Sequence, residues 1–353
     1  MGIPFAYDTL AAGEDILGRA GLIDDIVRSL TKSQKSVTLY GPMRSGKETV
    51  IRAAMDKVAK EVSNCQFCEI DLFNVHSKEG FLKTFRTAME GCIKSVSETS
   101  LLPLDIDFNT LNDKQLIEFP QYIADKSQNM LVIYFKEFQN ILFSEEPGFP
   151  LNQINRIWSK QKNVKYIFTG SCVNMMKSMM EEKKLFYYMT AEYWIPQLDP
   201  KTVCNYITGS FLRLGRVIEA EEALEIYNVT SGNMWYVKQL CSICFNKPIG
   251  YVNRKIVSQS TEALLSIHIP RFRQMIQDLT PNQINFIKAV TDGVVKFSSA
   301  EIMENYHLNS SANVFRIKDA LKKKEVILFD AEDNARFQDP LFEYWLKNYY
   351  FNN

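Results

Sequence analysis

Short apolar runs alternate with amphipathic stretches in the first half of the sequence. Five of these runs have the length and composition of buried strands, and the stretches between them show the three-to-four-residue spacing of helices. The predicted strands are 36–40, 67–73, 130–135, 165–169 and 193–198, and helices are predicted at 47–62, 78–96 and 155–161. Because strands that alternate with helices usually form a parallel sheet covered on both faces, this half of the chain predicts an α/β domain.

The second half of the chain has a different pattern. The alternation stops at a proline-bounded junction, Pro196-Gln197-Leu198-Asp199-Pro200, and helical spacing follows up to residue 278. A new helix is predicted at Thr280-Pro281, because threonine is a good N-cap and proline suits the first turn. Two more helices and two short strands then follow in the order of a winged helix, the strands at 326–329 and 336–337. We therefore predict three domains, at 1–199, 200–278 and 279–353, whereas the segment 97–125, with a proline-containing insertion at 101–112, fits no predicted element.

Positive and negative charges balance over the whole chain. The 353 residues include 41 basic and 41 acidic side chains, so there is no overall field to attract nucleic acid or an acidic membrane. No apolar run approaches the roughly 18 residues that suggest a membrane span, and the N-terminus lacks the basic and apolar regions of a secretory signal. We expect a cytoplasmic protein without membrane contact. Two cysteine pairs have CxxC spacing, at 65/68 and 241/244, and we interpret them as buried thiols because too few further zinc ligands lie near them in sequence.

A glycine-rich segment connects the first predicted strand to the helix that follows it. The segment has the form GxxxxGK of a phosphate-binding loop (P-loop), in the strand-to-helix context that such a loop requires. Loop amides and the helix N-terminus supply partial positive charge, and Lys47 reaches the β- and γ-phosphates of a nucleotide. The predicted nucleotide-binding residues are Gly41, Pro42, Met43, Arg44, Ser45, Gly46, Lys47, Glu48 and Thr49.

Two positions that normally hold Mg²⁺ in a P-loop enzyme carry other residues here. Glu48 replaces the serine or threonine after the loop lysine, and Thr49 points about 100° away around the helix. The third predicted strand ends in Lys136-Glu137 instead of Asp-Glu. We predict that Glu48 and Lys136 form an ion pair at the Mg²⁺ position, which with Lys47 leaves a formal charge of +1 rather than +2. Glu137 could still orient an attacking water, but the reaction loses its metal. The alternative is that Glu48 and Lys136 are solvated and unrelated.

Further short motifs follow one another along the chain. They are Ile16-Leu17-Gly18-Arg19, the loop at 40–47, Glu69-Ile70-Asp71-Leu72, Glu137-Phe138-Gln139, and the segments 167–171, 231–234 and 337–342. In this order they resemble the archaeal-type P-loop ATPases, a STAND and AAA+ group related to the origin-recognition initiators. The resemblance covers almost the whole chain. It implies an α/β P-loop NTPase domain of AAA+/STAND type, followed by a helical lid and a C-terminal winged helix.

The resemblance also implies roles for individual residues. Gly18 and Arg19 would lie beside the adenine of bound ATP or ADP, and Ser171, with Glu137, would face the γ-phosphate of ATP. Met234 replaces a proline of the family's lid, and the stretch 185–190 lacks an arginine that the family often has after the sensor strand. With the changes at the Mg²⁺ position, these departures argue against hydrolysis and against Mg²⁺.

Three functions are compatible with this sequence. The first, which we favour, is a nucleotide-dependent switch with weak or absent hydrolysis. The second is an active Mg²⁺-dependent ATPase in which Glu48 itself ligates the metal. The third is a binding module whose nucleotide site is vestigial and which acts through its winged helix.

The third helix of the predicted winged helix is locally basic. It spans 311–324 and carries Arg316, Lys318, Lys322, Lys323 and Lys324. Such a helix often enters the major groove of DNA. The predicted wing, however, carries Asp330, Glu332 and Asp333, which repel phosphate. We expect the winged helix to contact a protein partner or a second copy of the chain (a homo-oligomer), or to serve as a lid, and DNA binding is the alternative. The lysines would also suit a solvated helix end.

Overall fold

The computed structural model describes residues 5–11, 13–100, 106–143, 151–247, 250–330 and 332–352. The chain divides into two compact units. The sheet unit is Arg19–Ile195, and the helical unit combines Met1–Gly18 with Pro196–Asn353. Residues 101–105 of the insertion that fits no predicted element lie outside the described part of the chain.

The sheet unit is built on five parallel strands. They are β1 (Ser36–Tyr40), β2 (Cys65–Asp71), β3 (Met130–Lys136), β4 (Val164–Gly170) and β5 (Thr190–Trp194), in the spatial order β2-β3-β4-β1-β5. Every residue of β1 and β4 is buried, as in inner strands of a sheet that is covered on both faces. The parallel α/β sheet predicted from the sequence is confirmed.

Two strands of the sheet, β2 and β5, differ from the prediction by two residues or more at their ends. The predicted fifth strand at 193–198 is wrong, because β5 pairs with β1 from Thr190 opposite Ser36 to Trp194 opposite Tyr40 and its ladder ends where β1 ends. Pro196 also lacks the amide hydrogen needed to extend that ladder. β2 begins at Cys65, before the predicted start at 67, because β3 runs beside it from Met130 onwards.

Six α-helices accompany the strands in the described part of the sheet unit. They are α1 (Ala20–Thr31), α2 (Lys47–Glu61), α3 (Lys78–Ser100), α4 (Asp113–Ser127), α5 (Leu151–Trp158) and α6 (Val173–Lys177). No helix was predicted at α4, although a local signal marks its start. Asn112 and Gln115 form a capping box, in which each side chain accepts a hydrogen bond from the backbone of the other.

The topology of the sheet brings the ends of distant strands together. β1 lies between β4 and β5, and all pairings are parallel, so the carboxyl ends of β1, β3 and β4 meet at one edge of the sheet. Ligands of open α/β sheets bind at such an edge, where the strand order reverses. The glycine-rich loop and residues 136–137 and 171 all follow strands at this edge.

The helical unit begins with α7 (Pro200–Arg213), α8 (Ala220–Thr230), α9 (Met234–Phe245) and α10 (Arg254–Gln277). Two very short parallel strands, β6 (Val217–Ile218) and β7 (Tyr251–Val252), connect these helices, and the sequence did not predict them. The winged helix follows, with α11 (Pro281–Thr291), α12 (Ala300–Asn305), α13 (Ser311–Lys323), the antiparallel wing strands β8 (Ile327–Phe329) and β9 (Ala335–Phe337), and a final helix α14 (Pro340–Trp345). The predicted winged helix and the N-cap of its first helix by Thr280 are confirmed.

Two further features of the described residues are the composition of the helices, which bears on membrane spans, and the state of the cysteines. None of the helices in this part of the chain combines the length and the apolar composition needed to cross a membrane. All seven cysteines are free thiols; Cys68, Cys92, Cys241 and Cys244 are buried, and the other three are half-buried.

Candidate functional site

The loop after β1 turns sharply into α2. Arg44 and Gly46 have positive φ angles of 61° and 93°, which curl the backbone between strand and helix. A side chain at Gly41 would place its Cβ 3.0 Å from the Cβ of Ile195, so glycine permits a close approach there. The Ser45 hydroxyl is buried and has no hydrogen-bond partner among the described residues. Because the first amides of α2 have no partner within the helix, the curled loop and the helix N-terminus together suit an anion.

Lys47 is buried at the first position of α2, with 8% of its surface exposed. Its Nζ donates hydrogen bonds to the carbonyl oxygens of Gly41 at 2.7 Å and Pro42 at 2.9 Å. Burial lowers the pKa of Lys47 to about 8, although the carboxylate of Glu137 partly opposes the shift. An anion bound in the loop would restore the preference for the charged form.

Glu137 and Ser171, the two predicted γ-phosphate residues, lie in contact. Oε2 of Glu137 accepts hydrogen bonds from the Ser171 hydroxyl at 2.5 Å and from the Ser171 amide at 3.2 Å. Gln139 donates a third hydrogen bond to the same oxygen at 2.7 Å. The Glu137 backbone has a φ of 51°, so the chain turns immediately after β3 and aims this carboxylate at the end of β4. The structure therefore brings these residues together, and their catalytic role stays a prediction.

Lys136 forms the ion pair predicted with Glu48. Its Nζ lies 2.6 Å from Oε1 of Glu48, so the prediction of contact is confirmed and the solvated alternative is wrong. Burial disfavours the ammonium, but the hydrogen bonds that it donates to the carboxylates of Glu48 and Glu69, together with their negative charge, outweigh burial and raise the pKa of Lys136. Thr49, the next residue on α2, is half-buried and does not hydrogen-bond to Lys136.

Two further residues join this pair that the sequence did not assign to the site. Glu69 of β2 places Oε1 2.5 Å from Nζ of Lys136, and its other oxygen pairs with Arg52. Arg52 also lies 3.5 Å from Glu48, one turn earlier on α2. We name these four residues, Glu48, Arg52, Glu69 and Lys136, the charge network. The i,i+4 spacing of Glu48 and Arg52 was a visible signal, whereas Glu69 could be found only from the register of β2 against β3.

The donor set at the charge network does not fit Mg²⁺. Mg²⁺ needs near-octahedral oxygen ligands and usually keeps several waters. Here an ammonium lies between the two carboxylates, at contact distance from both. Within the described residues, no group of three His, Cys, Asp or Glu side chains is arranged to hold a metal ion.

Gly18 and Arg19 lie at the division between the two units. Gly18 belongs to the helical unit and has a φ of 59°; a Cβ there would lie 2.8 Å from Cδ2 of Leu198. Arg19 belongs to the sheet unit, precedes α1 and is buried, which lowers its pKa to about 10. Their place beside an adenine stays a prediction.

The basic residues of the winged helix are largely engaged within the unit. Lys318 pairs with Asp333 of the wing, Lys323 lies 2.8 Å from Asp319, and Lys324 donates to the carbonyl of Asp278. On the same helix Phe315 has 74% of its surface exposed. The sequence analysis did not single out Phe315, because exposure of one position on an amphipathic helix depends on how that helix packs.

A cluster of hydrogen bonds joins the end of the winged helix to α9 and α10. Asp339 caps α14 by accepting from the amides of Leu341 and Phe342. The same carboxylate accepts from the Tyr236 hydroxyl at 2.9 Å and pairs with Arg271 at 2.5 Å. These contacts lie within the helical unit, and they hold α14 against α9 and α10.

One family model matches the C-terminal part of the chain. It is described as "Probable winged helix domain" and covers residues 270–348, which agrees with the three helices and the wing seen there. No curated protein matches this sequence.

Solved structures match over nearly the full length. The Walker-type ATPase of Pyrococcus abyssi has a TM-score of 0.72 and 15% identity, covering 96% of this chain and 98% of that chain. The ORC2 protein of Aeropyrum pernix, in ADPNP–ADP complexes, has a TM-score of 0.64 and 12% identity, covering 99% and 96%. The ORC1 protein of Aeropyrum pernix in complex with DNA has a TM-score of 0.51 and 12% identity, covering 96% and 95%. At these identities the likeness establishes the fold: this chain has the AAA+ P-loop fold of the Walker-type ATPase and ORC proteins, with a winged helix domain at its C-terminus.

Proposed function

We propose that this protein binds ATP or ADP in the loop after β1 and acts as a nucleotide-dependent switch in which hydrolysis is weak or absent. The observation that carries the proposal is a contrast between two adjacent parts of the site. The phosphate-binding part retains its loop and its buried lysine, whereas the Mg²⁺-binding part holds a lysine ammonium between two carboxylates.

The binding half of the proposal is supported by the loop geometry. The positive φ angles at Arg44 and Gly46 curl the backbone, and Lys47 lies against the first loop carbonyls. The unpaired buried hydroxyl of Ser45 is a further polar atom at the same loop. Backbone amides, a helix N-terminus and a lysine are the groups that recognise phosphate in P-loops. The ORC2 protein of similar fold was solved in ADPNP–ADP complexes.

The loss of hydrolysis is supported by the charge network. In-line phosphoryl transfer depends on a metal ion that bridges the β- and γ-phosphates and neutralises developing charge. Glu137 and Ser171 would still face a γ-phosphate, and Glu137 could orient a water. Without the metal these two residues position reactants, but they do not supply the cation that stabilises the transition state.

The switch itself would lie in the domain arrangement. In nucleotide-dependent switches, the γ-phosphate is present in the ATP-bound state and absent in the ADP-bound state. Contacts to the γ-phosphate favour one arrangement of the domains over the other. We propose a nucleotide domain at 1–199, a lid at 200–278 and a winged helix at 279–353 as the moving parts.

For the winged helix we propose a protein partner or a second copy of the chain rather than DNA. Three of the five basic residues of its third helix, Lys318, Lys323 and Lys324, are engaged with Asp333, Asp319 and the backbone of Asp278. An exposed phenylalanine on the same helix offers apolar area that suits a protein surface.

Thermal unfolding with ATP and ADP, together with phosphate release, tests the proposal. A ligand at about 100 times its Kd stabilises the folded chain by about 2.7 kcal/mol, so millimolar nucleotide should raise Tm by several degrees. Lys47→Ala should abolish this shift, whereas Lys60→Ala, at the exposed end of the same helix, should retain it. We expect no phosphate release above background in Mg²⁺.

Two results would contradict the proposal. Mg²⁺-dependent phosphate release that disappears in Lys47→Ala would make the protein an active ATPase. The absence of any Tm shift at millimolar ATP would favour a binding module with a vestigial site.

A further inference from the structure

We infer that the Lys136 ammonium replaces the divalent cation at the nucleotide phosphates, so that the site takes metal-free nucleoside triphosphate or diphosphate. This inference rests on the proposed nucleotide binding and specifies the ionic form of the ligand.

The ammonium lies where two carboxylates converge. Nζ of Lys136 is 2.6 Å from Oε1 of Glu48 and 2.5 Å from Oε1 of Glu69. Glu48 is the residue after the loop lysine, and Lys136 directly precedes Glu137, so the ammonium lies between the two sequence positions that ligate Mg²⁺ in an active P-loop enzyme. A lysine is thus fixed at the metal position by two opposite charges.

Lys136 retains one donor for a ligand. A lysine ammonium has three N–H groups, and the carboxylates of Glu48 and Glu69 accept two of them. The aromatic ring of Tyr134 also lies near the ammonium, with its centroid 5.9 Å from Nζ, and it accepts no conventional hydrogen bond. The side chain is 19% exposed, so the third N–H is open to an oxygen atom that arrives from solvent. A phosphate oxygen is a negatively charged acceptor, and its hydrogen bond with a positively charged ammonium is of the strong, charge-assisted kind.

Arg52 keeps the two carboxylates in place. Its guanidinium contacts Glu69 and lies 3.5 Å from Glu48, so each carboxylate is shared between two cations. The formal charges of the charge network therefore cancel, and the ammonium is positioned before any ligand arrives. A divalent ion at this point would meet a lysine at contact distance, which raises the cost of binding a metal–nucleotide complex relative to the metal-free anion.

Isothermal titration with ATP, in EDTA and in excess Mg²⁺, tests this inference. Wild type should bind with Kd values that differ by less than about threefold between the buffers, or bind more tightly in EDTA. Lys136→Met should weaken binding in EDTA by at least about tenfold, because a charged hydrogen bond is lost. In Lys136→Met, Mg²⁺ should recover most of that loss, because Glu48 and Glu69 then share only the Arg52 guanidinium and carry one uncompensated negative charge. Lys165→Met is the matched control, since Lys165 is a buried lysine at the start of β4 that donates to the carbonyl of Gln34, and it should bind as wild type does.

A second variant separates the inference from the alternative in which Glu48 ligates the metal. Glu48→Gln retains the ammonium and removes one carboxylate. Binding should stay independent of Mg²⁺, because Lys136 still supplies the cation and remains paired with Glu69. If Glu48 ligates Mg²⁺, wild type will need Mg²⁺ and Glu48→Gln will lose that dependence.

The possible results lead to different conclusions. Binding in EDTA that collapses in Lys136→Met supports the inference. Binding by wild type that requires Mg²⁺, or equal binding in EDTA by wild type and folded Lys136→Met, overturns it and leaves nucleotide binding standing. Absence of binding in both buffers rejects the proposed function itself. If Lys136→Met does not fold, the Mg²⁺ dependence of wild type still decides the question.

Discussion

Replacing Lys47 by methionine should stabilise the folded chain near neutral pH while removing its affinity for nucleotide. Lys47 is buried, and its pKa falls from an ordinary 10.5 to about 8 because burial disfavours the ammonium. The charged lysine therefore disfavours folding, and its hydrogen bonds to the loop carbonyls and the charge of Glu137 offset this only in part until an anion binds. Methionine has a similar length and no charge, so it removes this cost together with the phosphate contact.

The size of the effect follows from the pKa. A fall from 10.5 to about 8 corresponds to about 3 kcal/mol of unfavourable free energy for the charged side chain. The two hydrogen bonds to the carbonyls of Gly41 and Pro42 contribute about 1 kcal/mol each, and methionine loses them. The net gain at about pH 7 is therefore about 1 kcal/mol, or roughly 2–4 °C in Tm.

The gain should depend on pH in a defined direction. The unfolded chain keeps Lys47 protonated up to about pH 10.5, whereas the folded chain does so only up to about pH 8. Between these values the unfolded state binds more protons, so the stability of wild type rises with pH relative to the methionine variant. At about pH 9.5 the advantage of methionine should have fallen by about 2 kcal/mol, so that the order of the two proteins reverses.

The assay is thermal or denaturant unfolding of both proteins at about pH 7 and pH 9.5, without nucleotide. Lys60→Met is the control, because Lys60 lies exposed on the same helix and its change should stay within about 0.5 kcal/mol at both pH values. A Lys47→Met variant that is less stable than wild type at neutral pH would refute the reasoning. So would a stability difference that does not change with pH.

Three further predictions concern catalysis, the winged helix and its end. The double variant Glu48→Thr with Lys136→Asp should raise Mg²⁺-dependent phosphate release above wild type, and adding Glu137→Gln should then lower it by about 100-fold, as measured with a phosphate sensor. Fluorescence anisotropy with duplex DNA should give only non-specific affinity, with a Kd of about 10⁻⁶ M or weaker at physiological salt, whereas nanomolar binding would show that the recognition helix reads DNA. Asp339→Ala should lower the free energy of unfolding by about 1–2 kcal/mol, because it removes a helix cap and the carboxylate partner of Arg271, a half-exposed side chain that keeps its hydrogen bond to Tyr236. The exposed pair of Asp319 should contribute less than about 1 kcal/mol in the same denaturant assay.

Local signals in the sequence predicted most of the fold. Hydrophobic periodicity located the first four strands of the parallel sheet, and Thr280-Pro281 marked the start of the winged helix, because caps and apolar runs act over a few residues. The errors fell where a partner strand sets the limit. β5 ends at Trp194 because β1 ends at Tyr40, and no residue near position 194 contains that information.

The candidate site was predicted in part, for the same physical reason. The P-loop is contiguous, so Lys47 and its loop could be assigned from spacing, and the contact between Glu48 and Lys136 followed from the known geometry of P-loops. Glu69 was not assigned, because its contact with Lys136 depends on the side-by-side register of β2 and β3. Arg52 was missed although it stands four residues after Glu48, because a surface pair at that spacing is usually only a solvated helix face.

The sequence alone determined which chemical groups this site possesses: a phosphate loop with its lysine, and a glutamate and a lysine where an active enzyme has metal ligands. The tertiary structure decided which of these groups meet and what each one faces. Lys136 lies 88 positions from Glu48 along the chain, and the pairing of parallel strands brings its ammonium between Glu48 and Glu69. Parallel strands are joined by long crossovers, so residues far apart in sequence become neighbours in the sheet. This is why the position of the Lys136 ammonium at the edge of the sheet could be seen only in the tertiary structure.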